Sequence, residues 1–378
     1  MKYNKTILFA TMALVAFTAA RLINTPAPKP AVAISIDGDT DENSDSQLPY
    51  TAAVVSAIST PKINYKISSS TPQFVVLSFD GSKSVQMLDE TLAFEQKMQA
   101  EGKPLHFTYF INAIYFLTQD TAHSYLPPQH PPGTSNIGFS ESVADIALRV
   151  KEFNTAFNEG NEIGSHSVGH FNGSTWSHDE WKHEFDAFTS LMSTVQQNNP
   201  SLPIPSPVFL SGIHGFRAPQ LGVNDTLYKV LGESSYTYDT SGVEANDGWP
   251  TKDSNGVWHI PLGTVKLGPT QHPVVAMDYN LWYHQSNAKE ETTKGTPLWN
   301  TYYNEIETAY MNHFNESYTG NRGPFVIGDH FSKWNDGVYW EAMKTFAENV
   351  CGKPDVRCVT FKDVVDYLNT TGAPPIIN

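Results

Sequence analysis

The stretch that decides the fold lies at residues 74–81 and reads Phe-Val-Val-Leu-Ser-Phe-Asp-Gly. Residues 74–79 have the length and the β-branched content of a buried strand, and residues 84–100 follow with apolar side chains at helical spacing. The pattern continues, so we expect strands at residues 106–110, 162–164, 213–216 and 325–328, and helices at residues 143–159 and 179–198. Strands that alternate with helices in this way predict parallel βα units. The expected class is therefore α/β in one domain over residues 71–372, with residues 283–301 as a polar surface insertion.

Residues able to carry chemistry come just after these predicted strands. Asp80 ends the first strand, and His166 and His170 follow the strand at residues 162–164. Arg217 and His330 follow the strands at residues 213–216 and 325–328. In a βα barrel the carboxyl ends of the strands form the face on which active sites are built. Each residue alone has an ordinary explanation as a turn, a salt bridge or a structural imidazole, but their shared position favours one site.

The histidine pair needs this context to be informative. Two histidines four residues apart share one face of a helical turn, and neutral imidazoles at that spacing can reach one divalent cation. The chain has 13 histidines in 378 residues, so such a pair also arises often by chance. The pair therefore predicts a metal site only together with the other strand-end residues.

Five segments, in their order along the chain, resemble the NodB-homology polysaccharide deacetylases of carbohydrate esterase family 4. They lie at residues 77–81, 164–170 (Gly-Ser-His-Ser-Val-Gly-His), 214–219 (His-Gly-Phe-Arg-Ala-Pro), 238–241 and 326–330. Residues 321–325 and 359–365 look most like the chitin-deacetylase branch. The resemblance implies a distorted (β/α)7 barrel and a divalent metal, most commonly zinc, with cobalt, manganese or nickel as alternatives. It also implies an N-acetylated polysaccharide or oligosaccharide as substrate: chitin, chitin oligosaccharides or peptidoglycan.

The resemblance assigns a role to each of the five residues. His166 and His170 would bind the metal, and Asp80 would be the general base with Arg217 as the partner that orients it. His330 would be the general acid that protonates the leaving amine. These roles agree with what amide hydrolysis requires, namely a polarised carbonyl, an activated water and a proton donor.

Two further residues are expected near the substrate. The backbone N–H around Gln220 would stabilise the oxyanion, as the resemblance implies, and Trp334 would contact the sugar. The aromatic face of tryptophan suits the apolar face of a sugar ring, while ordinary packing is the alternative. The same two interpretations apply to the other tryptophans in loop-like surroundings, Trp176, Trp181, Trp249 and Trp282.

The first segment departs from the family pattern. That pattern is Phe-Asp-Asp, with a base followed by a metal ligand, whereas here Asp80 is followed by Gly81. Asp80 can be the base, which leaves two histidines for the metal, or it can be a ligand, which leaves the base unassigned. We favour the base position because the Phe-Asp register is kept. The aspartate that orients His330 is equally open between Asp239, Asp247 and Asp278.

Three functions remain at this point. The first is an active polysaccharide N-deacetylase, the second a non-catalytic, metal-containing glycan-binding homologue, and the third an O-acetyl esterase on the same fold. The missing carboxylate motivates the second. The third would tolerate a weaker base because an ester is easier to hydrolyse than an amide.

The ends of the chain and its composition bear on location and partners. Residues 1–20 have the basic, apolar and small-residue order of a signal peptide, which predicts a protein secreted to the extracellular space or to the periplasm or cell wall, without a stable membrane anchor. Residues 21–70 read as a linker rich in Pro, Ser and Asp, with an edge strand at residues 54–58. The formal net charge of −15 disfavours nucleic-acid partners. Cys351 and Cys358 are expected to form a local disulfide.

Overall fold

The computed structural model describes residues 64–243 and 248–377. Its strands in chain order are β1 Asn64–Tyr65, β2 Gln73–Asp80, β3 Phe107–Ile111, β4 Glu162–Ser165, β5 Gly215–Phe216, β6 Tyr238–Asp239, β7 Thr251–Lys252, β8 Trp258–His259, β9 Thr264–Leu267, β10 His272–Val275, β11 Phe325–His330, β12 Val356–Cys358 and β13 Ile376–Ile377. Its α-helices are α1 Val85–Ala100, α2 Val143–Asn158, α3 His178–Ser193, α4 Val195–Asn198, α5 Asp225–Gly232, α6 Asp278–Ser286, α7 Pro297–Thr319, α8 Trp334–Val350 and α9 Phe361–Thr371.

A curved sheet of parallel strands forms the centre of the molecule. Within the described residues it runs in the order β11, β2, β3, β4, β5, β6, β8, and each neighbouring pair is parallel. β7 lies antiparallel on the outer edge of β8, and β12 pairs with the start of β2. These seven parallel strands confirm the predicted distorted (β/α)7 barrel.

Irregular segments run between β8 and β11, where the sheet is not continuous. The N–H of Gly263 donates to the carbonyl of Val326 at 3.3 Å, and the N–H of Gly328 donates to the carbonyl of Ala276 at 2.9 Å. β9 and β10 form an antiparallel hairpin outside this path. The distortion of the barrel is concentrated between β8 and β11, because irregular backbone segments fill this gap in place of a paired strand.

The alternation of side chains along β2 divides the core into two layers. Val75, Leu77 and Phe79 pack in the cluster that includes the surrounding helices, whereas Phe74 and Val76 belong to a second cluster inside the sheet. Because strand side chains alternate between faces, Asp80 shares the inner face with Phe74 and Val76. The sequence pattern at residues 74–81 thus places a carboxylate inside the barrel, at the carboxyl end of β2.

Most predicted elements are present, and the disulfide between Cys351 and Cys358 is formed. The helix predicted at residues 179–198 is interrupted at Thr194, where the backbone leaves helical geometry (φ −108°, ψ 17°). The strand predicted at residues 213–216 is shorter, covering only β5.

The predicted polar surface insertion at residues 283–301 is exposed over most of its length, but it is partly helical. Helix α6 occupies its beginning, and α7 starts at Pro297 with the Thr296 side chain as its N-cap. The apolar side chains that α7 buries are spaced over the whole helix among polar residues, so a short window around residue 290 does not reveal them. Those buried apolar side chains are Trp299, Tyr302, Ile306, Tyr310 and Phe314.

Several predictions concern residues beyond the described part. The signal peptide at residues 1–20 and the edge strand at residues 54–58 lie outside the described residues, as does most of the linker. Within the predicted linker, β1 pairs antiparallel with β13 near the C-terminus. In the part of the chain that the structure describes, no helix has the length and apolar character needed to cross a membrane.

Candidate active site

The site is built where β2 and β11 end side by side. The two strands are parallel, and their register places His330 directly opposite Asp80. Both side chains are buried. Since a residue pair in register on adjacent strands projects to the same face, the predicted acid and the predicted base are neighbours inside the barrel.

Asp80 is held by a buried arginine. Nη1 of Arg217 donates to Oδ1 of Asp80 at 2.6 Å and to Oγ of Ser78 at 3.1 Å. Nη2 and Nε of Arg217 donate to the side chain and carbonyl of Thr240 at 3.3 and 3.4 Å. The guanidinium also lies 4.5 Å from the ring centre of Phe110. A buried ion pair with these additional contacts fixes the carboxylate in one orientation, as expected of an oriented base.

The second oxygen of Asp80 is available for chemistry. Oδ2 is buried and has no hydrogen-bond partner among the described residues. A buried acceptor without a donor is unusual in a folded protein. An atom of this kind suits either a base that receives a proton from water or a metal ligand, so both roles considered for Asp80 fit the geometry.

The turn after β2 is built for a glycine and is held by another buried arginine. Gly81 has φ +90°, a conformation that residues with a side chain rarely adopt. Arg149 donates to the carbonyls of Ser82 at 2.6 Å and Lys83 at 2.8 Å. The position that holds a second aspartate in the family pattern is therefore part of a left-handed turn, which explains why a glycine stands there.

The two histidines follow β4 on a strained loop. His166 and His170 are buried, with ring centres 5.1 Å apart, and Ser167 and His170 have φ near +60°. Non-glycine residues in this region carry strain that tends to occur at functional sites. Nδ1 of His166 lies 2.8 Å from the carbonyl oxygen of Arg217, so an Nδ1–H donated there leaves Nε2 as the ligand atom.

A buried glutamate, Glu184, stabilises the backbone of this loop. Oε1 of Glu184 accepts the backbone N–H of Val168 at 2.9 Å, and the hydroxyl of Tyr125 donates to both carboxylate oxygens. Burial raises the pKa of Glu184 to about 7. Glu184 therefore fixes the backbone between the two histidines.

His166 and His170 fit the nitrogen ligands of a divalent metal. The contact from Nδ1 of His166 to a backbone carbonyl is the usual arrangement around a metal-binding imidazole. A metal held by these two histidines alone would have fewer protein ligands than usual, since catalytic zinc generally has three. Within residues 64–243 and 248–377 no three His, Cys, Asp or Glu side chains form a metal-binding group. The histidines would thus supply two ligands, and Gly81 stands where the family pattern has a third.

His330 is fixed by Asp278, one of the three aspartates considered for this role. The distance from Nδ1 of His330 to Oδ1 of Asp278 is 2.5 Å, and the backbone N–H of His330 donates to Oδ2 at 2.8 Å. Asp278 begins helix α6, and the preceding residue, Met277, forms a bridge to Gly328 of β11. Sequence patterns could not rank Asp278 because it follows no predicted strand.

Of the other two aspartates, only Asp239 lies in the described part of the chain. Asp239 accepts the hydroxyl of Ser241 at 2.5 Å and lies 3.6 Å from His259. Ser241 in turn accepts the N–H of Ala218 at 2.7 Å, so Asp239 stabilises the segment next to Arg217, whereas Asp278 is the aspartate bonded to His330. Asp247 lies outside the described residues.

The predicted substrate-contacting residues lie around this centre. Gln220 has φ +55°, and its side-chain amide donates to the carbonyl of His170 at 3.3 Å. The ring of Trp334 lies 5.5 Å from that of His330 and stacks on Trp282, with ring centres 4.6 Å apart. Both tryptophans are partly exposed. The sugar-stacking interpretation is wrong for the tryptophans that are buried in the core, Trp176, Trp181 and Trp249.

An acidic groove opens beside Trp334. It has a volume of about 1050 Å³ and lies between the segment at residues 290–298 and the start of α8. Lys333 also lines it but pairs with Glu90 at 2.6 Å. Its acidic side chains are those of Glu290, Glu291 and Asp336.

Comparison with known proteins gives a fold and no sequence relative. No protein-family model matches the sequence, and no curated protein sequence matches it. A solved structure from Mycobacterium smegmatis, described as a polysaccharide deacetylase, matches 84% of this chain and 97% of its own with a TM-score of 0.50 and 16% identity.

Two further solved structures match with lower scores. The carbohydrate esterase family 4 domain of a multidomain xylanase, from the hindgut metagenome of Trinervitermes trinervoides, covers 81% of this chain and 96% of its own with a TM-score of 0.42 and 12% identity. A pseudoenzyme of that family from Bacillus anthracis covers 78% and 66% with a TM-score of 0.40 and 10% identity. The fold of this chain is that of a polysaccharide deacetylase.

Proposed function

We propose that this chain is a metal-dependent polysaccharide deacetylase that hydrolyses N-acetyl groups on chitin and chitin oligosaccharides. The observation that carries the proposal is the pairing of Asp80 and His330 in register on adjacent strands. Each of the two has its own buried partner, Arg217 for Asp80 and Asp278 for His330. A charged acceptor and an oriented imidazole on one face are the two proton-transfer groups that amide hydrolysis requires.

Asp80 is the base in this proposal. Oδ1 is occupied by Arg217, and Oδ2 has no hydrogen-bond partner among the described residues. Oδ2 is therefore the atom that accepts the proton from the attacking water. Arg217 fixes the carboxylate and stabilises its charge while the proton is absent.

His330 is the acid. Asp278 accepts from Nδ1, which directs Nε2 toward the substrate and stabilises the imidazolium, as the carboxylate does in other His–Asp pairs. A proton held on Nε2 passes to the leaving amine as the carbon–nitrogen bond breaks. The backbone N–H of Gln220 donates to the oxyanion in this scheme.

His166 and His170 would hold the divalent metal, with zinc as the first choice for two imidazoles. When bound, such an ion polarises the acetyl carbonyl and lowers the pKa of a coordinated water toward about 7. Glu184 contributes by fixing the loop that presents the two imidazoles.

The acidic groove beside Trp334 favours a neutral or cationic glycan as the substrate. Its carboxylates on Glu290, Glu291 and Asp336 repel anionic sugars and attract free amines. Peptidoglycan carries carboxylates on its peptide stems, whereas chitin is neutral and becomes cationic as acetyl groups are removed. Trp334 and its stacked partner Trp282 offer an aromatic face for a sugar ring next to His330.

The test is acetate release by the purified protein, supplemented with zinc, from chitin oligosaccharides, peptidoglycan and an O-acetylated xylan. We expect release from chitin oligosaccharides first, and its loss in Asp80→Asn and His330→Gln. Release only from the O-acetylated glycan would instead establish the esterase. Glycan binding without acetate from any substrate would establish the non-catalytic homologue, for which Gly81 in place of a carboxylate is the motivating observation.

A further inference from the structure

The stacked tryptophans beside His330 come from two segments that are far apart in the chain. Trp282 lies in α6, and Trp334 begins α8. Their ring planes are 6° apart in angle, with 4.6 Å between the ring centres. The ring of Tyr279 lies edge-on to both, at 5.9 and 5.6 Å. The stack therefore persists only while the two segments keep a fixed spacing.

Asn335 spans the gap between these segments. It is fully buried. Its backbone N–H donates to Oε2 of Glu290 at 2.6 Å, and its Oδ1 accepts the backbone N–H of Glu291 at 2.9 Å. One buried residue thus joins residues 290–291 to the start of α8.

The same side chain also reaches the residues that hold Trp282. Nδ2 of Asn335 donates to Oγ of Ser286 at 3.3 Å. The hydroxyl of Ser286 donates to the carbonyl of Trp282 at 2.9 Å and accepts the N–H of Lys289 at 3.3 Å. The indole N–H of Trp282 donates to the carbonyl of Lys289 at 3.0 Å. Asn335 is therefore bonded to the support of Trp282 and is the chain neighbour of Trp334.

The backbone around Asn335 is strained. Asn335, Asp336 and Gly337 have φ of +49°, +54° and +74°. Asn and Asp are the side-chain-bearing residues that best tolerate this left-handed region, and such backbone persists where the surrounding contacts enforce it. Oδ2 of Asp336 accepts the N–H of Lys294 at 2.8 Å. The left-handed turn is thus held by contacts to the segment that it faces.

These ties lie where the proposed substrate would bind. Glu290, Glu291 and Trp334 line the groove, and the ring of Trp334 lies 5.5 Å from that of His330. An aromatic face that is already fixed in its binding position loses less conformational entropy when a sugar ring stacks on it. Loss of the ties would change the groove and release the ring.

We propose that Asn335 is the positioning residue of the glycan-binding surface. Its buried side chain ties residues 286–291 to the start of α8 and thereby fixes the Trp282–Trp334 pair next to His330. Asn335 itself is buried and acts through the two tryptophans. The inference rests on the proposed function, because it names the residue that shapes the surface for that substrate.

The test variant is Asn335→Gly, because glycine lacks the side chain but still suits a left-handed backbone. The matched control is Asn287→Gly, since Asn287 is also left-handed, with φ +55°, and is exposed. Acetate release from the chitin tetrasaccharide gives KM and kcat, and calorimetry gives its affinity. We expect Asn335→Gly to raise KM about tenfold, as loss of one aromatic contact implies, with kcat changed less than about twofold. Asn287→Gly should behave as the wild type.

The positions of the tryptophans are followed by NMR of the indole N–H groups in the full chain. The signals of Trp282 and Trp334 are assigned by their loss in Trp282→Phe and Trp334→Phe. We expect Asn335→Gly to shift both signals and to leave that of the buried Trp181 in place. If Asn335→Gly does not fold, Ser286→Ala replaces it and should shift the same two signals.

The outcomes separate this inference from the proposed function. Unchanged KM or unchanged indole signals in Asn335→Gly would overturn the positioning role, as would an equal rise of KM in Asn287→Gly. If the wild type binds the tetrasaccharide but releases no acetate, the proposed function fails, and weaker binding by Asn335→Gly then supports the inference on its own. A wild type that does not bind the tetrasaccharide would overturn both.

Discussion

Replacement of Arg217 by methionine tests the buried ion pair on which the base assignment depends. The guanidinium and its partner Asp80 are both fully buried. Removing one partner of such a pair leaves an uncompensated charge and typically costs about 3–5 kcal/mol of unfolding free energy. The matched control is Arg357→Met, because Arg357 is exposed and a surface substitution usually changes the unfolding free energy by less than about 0.5 kcal/mol.

The decisive comparison is the double variant Arg217→Met, Asp80→Asn. Because the second change removes the stranded charge, we expect the double variant to be more stable than Arg217→Met alone by about 1–3 kcal/mol. Arg217→Lys keeps the charge but not the forked hydrogen bonds, and should fall between the wild type and the methionine variant. The assay is guanidinium chloride unfolding at pH 7, followed by tryptophan fluorescence. A double variant that is no more stable than Arg217→Met would refute the assignment of a charged Asp80 held by Arg217.

Three further predictions concern the surroundings of the site. The pKa of Glu184 is raised from 4.5 to about 7, so between these pH values the folded state retains a proton that the unfolded state releases. The contribution of this proton to the unfolding free energy is fully present below pH 4.5 and is lost as the pH rises through 7. The loss is about 3 kcal/mol at most. Glu184→Gln should therefore flatten the fall in Tm between pH 5 and 8, and equal slopes in both proteins would contradict this. Arg149→Met should lower the unfolding free energy by about 3 kcal/mol, because several buried carbonyls lose a charged donor. A loss below about 0.5 kcal/mol in urea unfolding is typical of a surface substitution and would contradict the role of Arg149 in holding the turn after β2. Trp334→Ala should raise KM for chitin oligosaccharides by about tenfold, as loss of one aromatic contact of about 1.4 kcal/mol implies, while an unchanged KM would remove Trp334 from the binding surface.

The sequence predicted the part of the fold that depends on local patterns. The strand at residues 74–79 and the helix after it are marked by their hydrophobic period, and both are present. Helix α7 was missed because its buried side chains are diluted by polar ones over 23 residues. Its burial is decided by packing against α8 and β11, which no local window contains.

The same distinction holds for the site. Asp80, Arg217 and His330 could be predicted because each follows a strand, and the structure brings them to one face, with Arg217 between Asp80 and His166. The choice of Asp278 depends on a contact across 52 positions of the chain, and nothing in the sequence around it marks that contact.

Metal analysis of two single variants tests the central assignment most directly. His166→Ala and His330→Ala are each purified, supplied with zinc, dialysed, and compared with the wild type for bound metal and for acetate release from chitin oligosaccharides. We predict that His166→Ala loses the metal and the activity, whereas His330→Ala retains nearly all the metal and releases no acetate. Metal retained by His166→Ala, or full activity in either variant, would contradict the assignment of the site.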